Sequence, residues 1–135
     1  MKQGIQTNFP HPVLQKYGCY FFCLCRWAEM LGRNEFTVSD ITQAFEYCKN
    51  AGWIEKDCFV VNPVAVLNYC QNKKAFKTVS LVNNQPTEGI FAIYNKKPGH
   101  GHFTLGTNKG IVWDSLDPNR PGIKDYQIDS YRVIT

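Results

Sequence analysis

The segment Cys19 to Leu31, CYFFCLCRWAEML, limits what this chain can fold into more than any other stretch. It contains no Pro or Gly, is stopped by Gly32, and its first seven residues are apolar on every face. A helix of that kind is buried all round and does not lie on a surface. Other elements must therefore be packed about it. With 135 residues, 44% hydrophobic and 19% charged, the chain can bury one such core as a single domain, residues 1–135.

What surrounds the helix follows from a change of rhythm. Up to about Gln71 the pattern stays helical. Thr37, Ser39 and Asp40 offer capping side chains, and Ile41, Ala44, Phe45 and Cys48 follow at helical spacing to a stop near Gly52. Asn62-Pro63 is a cap followed by Pro at the first helical position, opening a short helix through Val66, Leu67 and Cys70. From Lys77 the apolar runs become short or alternating: 77–82, 89–94, 102–106, 111–115 and 126–134. They are separated by Asn-Asn, Lys-Lys-Pro-Gly, Thr-Asn-Lys-Gly and Asp-Pro-Asn-Arg-Pro-Gly, which are turn compositions. These connections are too short for helical crossovers, so the strands are expected to be antiparallel. The expected class is α+β, with the Cys19 helix packed across one face of a sheet of about four to six strands.

Composition excludes several functions. The net charge is +4, and the basic residues are scattered with only short pairs such as Lys73-Lys74 and Lys96-Lys97. That is no nucleic-acid footprint, which clusters basic residues on one face, although a mild positive charge favours anionic substrates. No apolar stretch reaches the roughly 18 residues of a membrane span, and Met1 to Leu14 lacks the apolar run of a signal peptide. Synthesis in the cytoplasm is expected, with any export managed by other proteins. Six cysteines, at 19, 23, 25, 48, 58 and 70, include no Cys-x-x-Cys pair. Most are expected to be reduced, buried apolar residues, neither disulfides nor zinc ligands.

Cys19 is the expected exception. In Gln15-Lys16-Tyr17-Gly18-Cys19 the glycine lets the chain turn, and the cysteine falls in the first turn of the buried helix. Free N–H groups and the helix dipole there favour a thiolate and can stabilise an oxyanion forming beside it. A second element is the hairpin from His102 to Asp114. A three-residue loop 107–109 sets His102 opposite Asp114, and a loop 108–110 sets Asp114 opposite Thr104 on the same face. Only a two-residue loop, 108–109, puts the pair on opposite faces. Gly110 after Asn-Lys suits a type I turn with a G1 bulge, hence the same-face outcome. An Asp beside a His fixes its tautomer, as in a nucleophile–base–orienter triad. Ser115 or Asp117 would replace Asp114 if the register slipped, but Asp117-Pro118 has the composition of a turn. His100 and His102 share a strand face without a carboxylate or cysteine nearby in sequence, so neither a metal nor another cofactor is expected.

Gly-Cys opening an apolar helix, His-Phe-Thr-Leu on a strand and Val-Trp-Asp-Ser on the next together resemble the papain-like cysteine peptidase superfamily. The likeness spans roughly residues 13 to 117. It is nearest to the small bacterial leader-processing peptidases of bacteriocin exporters and the compact cell-wall amidases. The chain also resembles a small spirochaete and phage family of unknown function, which implies no activity. The papain-like resemblance implies Cys19 as nucleophile, His102 as base, Asp114 as orienting acid and Gln15 as a side-chain oxyanion donor. Gln15 departs from the family pattern by lying only four residues before the cysteine, and Tyr20 departs from the residues usual after the nucleophile. The implied activity is hydrolysis of an amide bond in a peptide, with bacterial cell-wall peptides as a candidate substrate and a monomer as the working unit. Two other readings are a processing peptidase acting on a protein partner and a non-catalytic papain-like domain that binds peptides.

Overall fold

A computed structural model describes all residues 1–135. Four α-helices precede a five-stranded sheet: α1 Pro12–Tyr17, α2 Cys19–Met30, α3 Val38–Asn50, α4 Pro63–Gln71, then β1 Val79–Val82, β2 Phe91–Lys97, β3 His100–Thr107, β4 Gly110–Trp113 and β5 Gln127–Ile134. The chain is an α+β domain. No helix is long and apolar enough to cross a membrane.

Local chemistry explains the helix limits. Thr37 and Asp40 form a reciprocal capping box at the start of α3, each side chain accepting from the other's backbone N–H at 3.0 Å. Asn62 accepts from the Ala65 N–H at the start of α4, with Pro63 behind it. α1 is not predicted by the apolar spacing of the sequence. It is a single short stretch whose Pro12 sits at the first helical position, with the His11 side chain accepting from the Leu14 N–H.

The junction between α1 and α2 requires glycine for a steric reason, not for an unusual backbone angle. Gly18 has φ −83°, which any residue can adopt. A Cβ there would lie 2.5 Å from the Leu14 carbonyl oxygen and 3.0 Å from the Phe22 ring. Glycine thus allows two helices to abut almost end to end while α2 begins afresh at Cys19.

α2 is the buried helix that its sequence required. Phe21 to Cys25, Trp27 and Ala28 are all buried, joined in one core with Leu14, Ile41, Phe45, Cys48, Leu67, Ala92, Leu105 and Trp113. Every strand pairing is antiparallel, in the order β1-β5-β2-β3-β4. The last strand therefore inserts between the first two, tying the chain's end into the middle of the sheet. The opposite side of the sheet carries a smaller cluster of Phe91, Ile93 and Tyr131.

Gly18→Ala is expected to destabilise the fold by about 1–3 kcal/mol, the usual range for forcing a methyl group into packed atoms. Urea unfolding measures it; a midpoint equal to that of the parent would show that the junction has room to spare.

Candidate functional site

The β3–β4 hairpin carries the first half of the site, and its geometry corrects the expected turn. Thr107 pairs with Gly110 and Gly106 with Ile111, so the loop has two residues, Asn108 and Lys109. That loop by itself would send His102 and Asp114 to opposite faces. The register then shifts, with Leu105 opposite Trp113 and Val112 left over as a bulge. The extra residue returns Asp114 to the face of His102. The close approach at this point depends on Gly106, where a Cβ would lie 2.5 Å from Ile93 Cδ1 and 2.9 Å from the Gly110 carbonyl oxygen.

The consequence is a short buried contact. His102 Nε2 lies 2.6 Å from Asp114 Oδ1, with both residues buried. The carboxylate has further partners: the Leu116 N–H donates to Oδ1 at 3.0 Å, and Arg120 Nη1 donates to Oδ2 at 3.1 Å. Burial alone would raise the Asp114 carboxyl, but the hydrogen bond and charge of His102, the Leu116 N–H and Arg120 outweigh it and hold the group below its usual range. Asp117 is occupied elsewhere, accepting from the Asn119 N–H as a turn former, so Asp114 is the residue that meets the histidine.

The second half of the site is the start of α2, and two contacts dock it on β3. The Cys23 thiol donates to the Phe103 carbonyl at 3.3 Å. The Tyr20 ring stacks on the Phe103 ring, with centroids 3.9 Å apart and planes 10° from parallel. Phe103 is the residue after His102, and Cys19 is one turn before Cys23 on the same helix face. Cys19 thereby comes near enough to the imidazole for its sulfur to act on the ring's ionisation. Since Nε2 is engaged by Asp114, Nδ1 is the ring nitrogen left for the sulfur. Burial by itself would push the imidazole's pKa down. The hydrogen bonds to Asp114 and Cys19 and the Coulombic pull of both outweigh burial and carry it up to about 9.

Cys19, His102 and Asp114 are thus brought together, while Gln15 is not linked to them by any hydrogen bond. Its amide is exposed and donates to the Thr7 carbonyl at 2.9 Å. No side chain caps α2, so the N–H groups of its first turn are not taken up by a capping side chain. Three supporting residues are not predicted from the sequence. Arg120 comes from a loop with no periodic pattern. Asn95, directly across from His102, donates to the His102 carbonyl and to Thr104 Oγ1 at 3.1 Å. Gln6 is buried, accepts from Ser115 Oγ at 2.6 Å and donates to the Gln15 carbonyl at 3.0 Å. None of these left a local signal, because each acts across the fold. His100 is exposed and apart from the His102–Asp114 contact, and no cluster of three metal-ligating side chains is present.

Cys19 also lines a groove of about 560 Å³ that runs from the start of α2 across the sheet, walled by Tyr20, Phe103, Tyr94, Phe59 and Val79.

The family model described as "Protein of unknown function, DUF261" matches residues 1–135. The chain belongs to the DUF261 family. No curated protein and no solved structure matches it significantly.

The other five cysteines are buried. Burial pushes the thiols of Cys48 and Cys58 up to about 12 and those of Cys23 and Cys25 well above the ordinary value. One equivalent of iodoacetamide near neutral pH is therefore expected to label Cys19 first, and His102→Ala to slow that labelling. Peptide mapping by mass spectrometry gives the answer; label spread evenly over the six cysteines would contradict the arrangement.

Proposed function

We propose that the chain is a cysteine hydrolase of the papain-like type that cleaves an amide bond in a peptide, with peptides of the bacterial cell wall as its candidate substrates. What carries this reading is a buried imidazole bonded to Asp114 whose ionisation also feels Cys19, a residue that lines a groove. A structural histidine needs one partner. A histidine shared between a carboxylate and a partly exposed thiol has the order of groups used in nucleophilic catalysis.

In the proposed mechanism Cys19 Sγ attacks the amide carbonyl carbon while its proton rests on His102 Nδ1. The carbonyl oxygen becomes an oxyanion, held by the N–H groups of the first turn of α2. As the C–N bond breaks, His102 passes its proton to the leaving amine, and a thioester remains on Cys19. Water then attacks the thioester, giving its proton to His102, and the carboxylic acid and free thiol are released. Throughout, Asp114 keeps Nε2 protonated so that Nδ1 faces the sulfur. Gln15, with its amide on Thr7, takes no part in this scheme as folded.

A panel of fluorogenic peptides and muropeptide fragments tests the proposal. Cys19→Ala is expected to abolish hydrolysis, and Asp114→Asn to lower kcat by roughly 10²- to 10⁴-fold with the circular dichroism spectrum unchanged. Peptides that bind but are never cleaved, with binding indifferent to Cys19→Ala, would favour a non-catalytic peptide-binding domain.

A further inference from the structure

The groove beside Cys19 is mostly apolar, but it holds one cation with an unusual set of contacts. Arg132, on β5, lies in the groove wall with its guanidinium carbon 5.3 Å from the Phe103 ring centroid and 5.8 Å from that of Tyr94. Only Nη1 is used by the fold: it donates to Ser130 Oγ at 2.8 Å and to the Tyr131 carbonyl at 3.2 Å. Nε and Nη2 make no hydrogen bond to protein, and no carboxylate lies within ion-pair distance of the group. Asp57 lines the same groove but accepts from its own neighbour's backbone, the Phe59 N–H at 3.1 Å.

A guanidinium fixed by one nitrogen and resting on two aromatic faces presents its Nε–Nη2 edge in a set direction. That edge matches a carboxylate bidentately. A second group in the wall is also without a partner. The Tyr20 hydroxyl is shielded from solvent and makes no hydrogen bond, although buried polar groups are normally paired. Burial keeps that phenol protonated, as a donor, against the opposing pull of Arg132. Tyr20 is adjacent to Cys19 in sequence and stacks on the residue after His102, so Tyr20 and Arg132 both belong to the wall of the groove that Cys19 lines.

We infer that Arg132 is a specificity-determining residue that receives a carboxylate of the bound peptide, whose apolar side chains cover the aromatic wall. The ligand class is an acidic peptide with a carboxylate close to the bond presented to Cys19. The net charge of +4 favours approach of such a ligand. The inference rests on the hydrolase reading only in calling the ligand a substrate.

The test therefore measures binding separately from turnover. Acetyl-capped hexapeptide amides, with Glu and Gln exchanged at each position in turn, are titrated into the Cys19→Ala protein and followed by NMR. A parallel set with a free C-terminal carboxylate distinguishes a side-chain acid from a chain end. Glu, or the free terminus, is expected to bind about 10- to 100-fold more tightly than its neutral counterpart at one position. Arg132→Gln should erase that preference, and Arg132→Lys should retain part of it, which separates a lost contact from a damaged fold. Equal binding of acidic and neutral peptides at every position, no binding of any, or a preference that survives Arg132→Gln overturns the inference. An acidic preference in a Cys19-containing protein that cleaves nothing leaves Arg132 as assigned and removes the hydrolase reading instead.

Discussion

The contact on which the arrangement depends is the docking of the start of α2 against Phe103. The Cys23 thiol holds the Phe103 carbonyl and Tyr20 stacks on its ring, so one residue of β3 fixes both the height and the rotation of the helix. Because residues four apart share a helix face, fixing Cys23 also fixes Cys19. Because Phe103 follows His102, the same contact sets the start of α2 beside the part of β3 that carries the imidazole. Gly18 is the condition for this placement. Any side chain there would meet the Leu14 carbonyl and drive α1 and α2 apart. The helix buries its apolar faces all round and is therefore rigid, which suits an element that must hold one sulfur in place.

Burying a histidine with an aspartate is costly unless every remaining polar atom is satisfied. Here the carboxylate has the imidazole, the Leu116 N–H and Arg120, while Asn95 takes up the His102 carbonyl. These partners come from the loop after β4 and from β2, so the whole hairpin region supports one ring orientation. With Nε2 anchored on Asp114, the ring has a single nitrogen left for another partner. The same burial that separates this pair from solvent leaves Cys19, only partly covered, in the wall of the groove.

Much of this was legible in the sequence where the signal is local. The all-round apolar run from Cys19, the Thr37 and Asn62 caps and the alternation after Lys77 each follow from chemistry within a few residues. They sufficed for the α+β class and for Cys19 at a helix start. The pairing of His102 with Asp114 was legible in outcome but not in route. The turn is two residues long and a bulge at Val112 restores the face, next to Gly106, whose close approach to Ile93 on another strand no local pattern records. Arg120, Gln6 and Asn95 act across the fold and leave no periodic trace. The resemblance implies an oxyanion role for Gln15 despite its short spacing to Cys19, but the turn of α1 carries its amide to Thr7. The insertion of β5 between β1 and β2 is likewise a long-range pairing that no local pattern records.

What matters most is that His102, bonded to Asp114, also feels Cys19. The most direct measurement is the titration of the His102 ring nitrogens by ¹⁵N NMR, from about pH 5 to about pH 10. The account predicts a ring protonated on both nitrogens at neutral pH that loses a proton only as the pH rises through about 9, with the midpoint lowered in Asp114→Asn and in Cys19→Ala. A midpoint near the ordinary histidine value of 6.5, unmoved by either substitution, would contradict it.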